Sequence, residues 1–125
     1  MENNKKFVIQ KHRRGDDVHW DLMLETADAL ETYRLPVQPE NLTAQPVEAV
    51  KILDHPLKFL TYQGSVNKGR GTVKIADTGI YKILNKDDTR TDFEFHGKIL
   101  NGKFTLTLIE QDRYEFWAAH PEYLS

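Results

Sequence analysis

The sequence predicts a mainly β protein, a compact single-domain β-barrel of about eight mostly antiparallel strands with little helix. Three observations carry that expectation. Apolar residues recur with a period of two, the spacing of a half-buried strand. Turn-forming residues interrupt these runs at near-regular intervals. The chain has 125 residues, 39% of them hydrophobic and 29% charged, enough for one core and too few for two full domains.

Each element follows from its local pattern. Phe7 to His12 is a short β-rich run. In His19-Trp20-Asp21-Leu22-Met23-Leu24-Glu25 the alternation is strict. Trp20, Leu22 and Leu24 share one face, which packs; His19, Asp21, Met23 and Glu25 share the other. Thr26 to Ala29 reads as a tight connection to a partner strand from Leu30 to Leu35. Pro36 to Asn41 is expected as extended loop, and Ala44 to Ile52 as one helical turn or an edge strand. Phe59–Gln63, Gly71–Ala76, Ile80–Leu84, Asp92–His96, Lys103–Glu110 and Tyr114–Ala118 complete the expected strands. Turns are expected at Asn67-Lys68-Gly69, Asp77-Thr78-Gly79 and Asn85 to Asp88. Asn101-Gly102 carries the strongest hairpin signal, because both residues tolerate positive φ. Residues 1–6 are expected to be flexible.

Composition excludes several classes. With no cysteine there is no disulfide framework, thiolate nucleophile or cysteine zinc site. No stretch approaches the roughly 18 apolar residues of a membrane span, and the polar start Met1 to Lys6 lacks the apolar segment of a secretion signal. A cytoplasmic monomer without membrane contact is the resulting expectation. The net charge of −2 gives no global reason to bind nucleic acid. Basic residues nevertheless cluster: Lys5, Lys6, Lys11, Arg13 and Arg14 in one stretch, Lys68, Arg70 and Lys74 in another. These are either two lips of one groove for an anionic ligand or two solvated faces. The glycine-rich segment Gly64 to Thr72 could hold a phosphate on backbone amides beside Lys68 and Arg70; the plainer reading is a wide hairpin turn.

His12, His19, Asp21 and His55 are the residues that could carry chemistry. Two imidazoles and a carboxylate from separate elements suit a divalent transition metal with positions left open for substrate. Spacing alone also fits ordinary hydrogen-bonded histidines, since the sequence has no HExxH motif. His96 and His120 read as structural or solvated.

Five motifs in register resemble a known family. They are Gln10-Lys11-His12, His19 to Glu25, Asp54-His55-Pro56-Leu57, Gly69-Arg70-Gly71-Thr72-Val73 and His96 to Phe104. The series is similar to the 3′-phosphoesterase domain of bacterial DNA ligase D, from Phe7 to Trp117. That resemblance implies a small β-barrel and a Mn-dependent hydrolase, with Zn or Co as alternative metals. Such an enzyme removes a 3′-terminal ribonucleoside and then the 3′-phosphate from a DNA or primer strand. It implies metal ligation by His12, Asp21 and His55, with His19 in the catalytic set. Arg13, Arg14, Lys68 and Arg70 are then the expected substrate-binding cations. Nucleic acid 3′ ends are the expected partner, together with a ligase or polymerase acting in trans.

The departures from the family pattern are specific. Met23 stands where an arginine contacts phosphate, Phe59 where an active-site tyrosine is usual, and Leu53 where a glutamate is usual. The interval between His12 and His19 is one residue longer than the resemblance leads one to expect. These changes leave a rival reading, a catalytically weakened barrel that binds DNA ends or a repair partner without turnover. A small barrel for an apolar ligand is a third, which leaves the basic stretches unexplained.

Overall fold

The computed structural model describes residues 5–119. Among them nine strands follow in order: β1 Lys5–Arg14, β2 Asp17–Glu25, β3 Leu30–Leu35, β4 Val47–His55, β5 Gly64–Val66, β6 Gly71–Lys86, β7 Arg90–Gly97, β8 Asn101–Glu110 and β9 Arg113–Ala118. Two short 3-10 turns, Pro39–Asn41 and Leu57–Leu60, are the only helical pieces among the described residues. None of their helices is long and apolar enough to cross a membrane.

Eight strands form a closed antiparallel ring, β1-β2-β3-β4-β9-β8-β7-β6, with β6 returning to β1. β5 adds three residues to the start of β6. Closure removes the free edges that an open sheet would expose. The β2–β3 connection is tight because the Thr26 amide and hydroxyl both donate to the Ala29 carbonyl, each at 2.9 Å.

Period-two alternation places one row of every strand inside the ring. Phe7, Ile9, Leu22, Leu24, Tyr33, Leu35, Phe93, Phe95, Phe104, Leu106 and Phe116 form the core. Phe95 sits centrally, its ring 5.0 Å from Phe7, 5.3 Å from Phe93 and 5.7 Å from Phe104. These are offset and edge-on separations that aromatic quadrupoles favour. The outer rows are not uniformly wet. Val8, Met23 and Leu30 form a second buried cluster outside the wall, covered by Phe59, Leu60 and Ile75.

The structure corrects several local expectations. Asp77-Thr78-Gly79 is not a turn; β6 runs unbroken from Gly71 to Lys86. A register shift between Ile9 and Gln10 leaves Ala76 as an extra residue, so the strand bends there without ending. The Asp77 carboxylate is the reason its residue reads like a turn former: it accepts the amides of Thr78, Lys98 and Ile99 on Oδ1 and of Leu100 on Oδ2. It thereby organises the β7–β8 connection, which is Lys98 to Leu100 rather than Asn101-Gly102. Gly102 lies in the ladder opposite Phe95. Phe59–Gln63 is not a strand but falls on the Leu57–Leu60 turn and the residues after it. β4 is an interior strand between β3 and β9, neither helical nor an edge. Lys5 and Lys6 belong to β1, while residues 1–4 and His120 lie outside the described residues.

Replacing Asp77 by alanine leaves four amides without their acceptor, one of them buried. A loss of about 3 kcal/mol is expected, read as a lower urea midpoint at unchanged slope. Gly79→Ala is expected to be at least as damaging, because its Cβ would lie 2.1 Å from the His96 carbonyl oxygen.

Candidate metal and phosphate site

The β1–β2 hairpin builds the site. It turns through Gly15, which holds φ +60°, and pairs His12 with His19, Gln10 with Asp21 and Val8 with Met23. Directly paired residues project to the same face. Val8 and Met23 belong to the outer cluster, so the whole row Val8, Gln10, His12, Met23, Asp21, His19 lies on the outside of the wall. It begins in apolar contact and ends in chemistry.

His12, His19 and Asp21 each offer a ligand atom within 4.8 Å of the others. His12 Nδ1 and His19 Nε2 share a hydrogen bond of 3.0 Å, and His19 Nε2 lies 3.5 Å from Asp21 Oδ2. His12 Nε2 and Asp21 Oδ1 are buried without a hydrogen-bond partner. Orphaned buried polar atoms are costly and rare, and they mark places where a fold keeps groups ready for something else. Two imidazoles and a carboxylate, with His12 Nε2 and Asp21 Oδ1 unpartnered, fit a divalent transition metal. Gly71 adds to the fit. A Cβ there would stand 3.1 Å from His12 Nε2, so glycine leaves that nitrogen room.

Burial sets the electrostatics. It lowers the His19 pKa to about 4, aided by the Arg34 charge and by His12. His12 is lowered in the same way, by burial first and then by Arg34. Both imidazoles are therefore neutral near pH 7, the form that ligates metal. Burial pushes Asp21 up to about 6, and Arg34 acts in the opposite direction. A second cation beside Asp21 favours its ionised form.

Gln10 holds the floor of the site. Its Nε2 donates to the carbonyls of Phe59 at 2.9 Å and Tyr62 at 3.0 Å. The Leu57–Leu60 turn and the residues after it are thus pinned against β1. His55 enters from the end of β4, opposite Leu30. Its Nδ1 donates to the Leu53 carbonyl at 2.9 Å, which leaves Nε2 free. Its ring lies 5.8 Å from Phe59 and its charge is felt at His12, but it is not one of the three mutually close ligands. Of the expected metal trio, His12 and Asp21 come together with His19, while His55 stands outside that close group of three.

The substituted positions have clear surroundings. Met23 is 1% exposed in the outer apolar cluster. Phe59 packs on the same cluster. Leu53 is 87% exposed beside the His55 ring partner carbonyl. Arg13, Arg14, Lys68 and Arg70 are exposed. The pairing of β1 with β6 and of β6 with β5 places their two stretches side by side, Arg13 opposite Thr72 and Ser65 opposite Thr72 across the next ladder. None of the four has a hydrogen bond to the His12–His19–Asp21 group among the described residues.

Sequence reasoning missed two contributors. The Gln10-Lys11-His12 motif by itself gives Gln10 no role. Arg34 was not named, though the tight Thr26–Ala29 connection already implies the register that sets Arg34 opposite Asp21.

Comparison with known proteins adds a second line. Residues 10–108 match the family described as the DNA Ligase D 3′-phosphoesterase domain. The chain is 33% identical over 132 residues to the multifunctional non-homologous end joining protein LigD of Mycolicibacterium smegmatis, covering 94% of this chain and 17% of that protein. It is 32% identical over 122 residues to the corresponding DNA repair protein of Mycobacterium tuberculosis (strain ATCC 25618 / H37Rv), covering 91% and 15%. With LigD of Pseudomonas aeruginosa it shares 30% identity over 111 residues, covering 81% and 13%. The chain thus spans less than a fifth of these relatives' length.

Gln10→Ala removes both hydrogen bonds to the 57–62 segment. Faster amide exchange is expected there and at β5, with a stability loss of about 1–3 kcal/mol. Unchanged exchange in that segment would show that Gln10 does not hold it.

Proposed function

Because the chain belongs to the DNA ligase D 3′-phosphoesterase domain family, we propose that it hydrolyses phosphoesters at the 3′ ends of DNA or primer strands, using a divalent metal such as Mn. The observation that carries this reading is the close His12–His19–Asp21 group, in which His12 Nε2 and Asp21 Oδ1 are buried without a partner. Family membership implies processing of DNA ends in non-homologous end joining. The substrate, the metal and any ligase or polymerase in trans are part of the proposal.

His12, His19 and Asp21 would hold the metal. When bound, it supplies Lewis-acid polarisation of a phosphoryl oxygen and activation of water. His12 and His19 offer neutral imidazole lone pairs, kept so by burial. The low His19 pKa makes it a poor proton donor at neutral pH, which favours ligation over general-acid work. His55, whose Nδ1 is anchored on the Leu53 carbonyl, is the remaining imidazole that the resemblance assigns to the metal. The Leu57–Leu60 turn and the outer apolar cluster exclude water from one side, which strengthens charge interactions within the site.

Incubation with Mn and a primer-template bearing a 3′-phosphate or a 3′-terminal ribonucleotide is expected to give metal-dependent product. His12→Ala and Asp21→Ala are expected to lower the rate by two powers of ten or more. Absence of metal-dependent product would overturn the catalytic reading. The rival, DNA-end binding without turnover, is favoured by the apolar burial of Met23 and the missing Phe59 hydroxyl; salt-dependent binding with no product would select it.

Metal binding has its own readout. Mn at a hundredfold excess over its Kd is expected to stabilise the fold by about 2.7 kcal/mol, reversed by chelator and absent in His12→Ala. An unfolding transition indifferent to Mn would show that the three groups do not share an ion.

A further inference from the structure

The β2 row that holds Asp21 has no cation, because Met23 is sealed among Val8, Leu30, Phe59 and Leu60. The charge is found one strand over. Arg34 stands on the outer face of β3, directly opposite Asp21 in the ladder. Its Nε lies 3.7 Å from Asp21 Oδ1, an ion pair longer than a hydrogen bond, and its side chain is 46% exposed. Beyond the Asp21 carboxylate, the described residues give its guanidinium no hydrogen-bond partner. The same arginine and His19 line a cleft with Val18, Pro36, Glu48 and Val50. A half-exposed guanidinium with idle donors, anchored by one carboxylate at the edge of a metal-ligand group, has the form of a phosphate clamp.

We propose that Arg34 is the terminal-phosphate-binding arginine of this chain: its free N–H groups take the non-bridging oxygens of a strand's 3′-phosphate from the β3 side, a position that Met23 cannot serve from β2. The inference rests on the reading of the site as a 3′-phosphoesterase centre and names the residue that recognises its substrate. Arg13, Arg14, Lys68 and Arg70 then contact the nucleic-acid backbone farther from the end. Arg34 discriminates 3′-phosphate from 3′-hydroxyl, whereas the exposed cations contribute affinity alone.

The test uses the full chain, Mn, and primer-templates that differ only in a 3′-phosphate or a 3′-hydroxyl. Binding is followed by fluorescence anisotropy over a range of salt, turnover by product formation, and Mn binding by electron paramagnetic resonance. Wild type is expected to prefer the phosphorylated end by about ten- to a hundredfold. Arg34→Ala is expected to erase the preference and lower the salt slope by about one, with Mn binding retained. Arg34→Lys is expected to recover part of it, and Arg90→Ala, whose guanidinium bonds Asp92, to change nothing. Retained preference in Arg34→Ala, with wild-type turnover intact, overturns the role of Arg34 and leaves the phosphoesterase reading standing. Loss of Mn binding in Arg34→Ala also overturns it, by making the residue a support for Asp21. A wild type with neither preference nor product overturns both.

Discussion

The register of the β1–β2 hairpin is the constraint on which both stability and site depend. Because side chains alternate strictly along a strand, one register decides two rows at once. With His12 opposite His19, the inner rows deliver Phe7, Ile9, Leu22 and Leu24 to the barrel core. The outer rows then have no choice but to bring His12, His19 and Asp21 together. A slip of one residue would turn core side chains into water and ligand side chains into the core. The packing of the interior is therefore what holds the chemistry in place.

The outer face needed a second device, since a group exposed on a barrel wall would be fully hydrated. The Leu57–Leu60 turn lies across it, fastened through Gln10 to the carbonyls of Phe59 and Tyr62. Burial on this face lowers the imidazoles' affinity for protons and raises that of Asp21. Such a cluster weakens the fold, because buried polar atoms are left unpaired. Local violations of packing rules of this kind concentrate where a protein acts rather than where it is merely held together.

Met23, Phe59 and Leu60 pack with Val8 and Leu30 into a continuous apolar floor. The floor stabilises the Leu57–Leu60 turn, and it removes hydrogen-bond donors from that side of the metal-ligand group. Arg34 restores positive charge from the neighbouring strand, and its field reaches His12, His19 and Asp21 alike.

Much of this was legible before any fold was known. Period-two patterning announced the barrel, and the spacing of His19 and Asp21 placed them on one face apart from Leu22 and Leu24. Where the reading erred, the cause was a side chain serving a distant backbone. Asp77 looks like a turn residue because it caps amides, yet the amides it caps are those of Lys98, Ile99 and Leu100, some twenty positions away. Phe59 to Gln63 alternates like a strand but is held as a turn by Gln10. Local periodicity by itself determined most of the strands and their faces, because it acts between near neighbours in the chain. That His19 lies close to His12 and Asp21, and that Arg34 stands beside them, was decided only by tertiary structure, since cross-strand register and barrel closure set distances between residues that the linear order keeps apart.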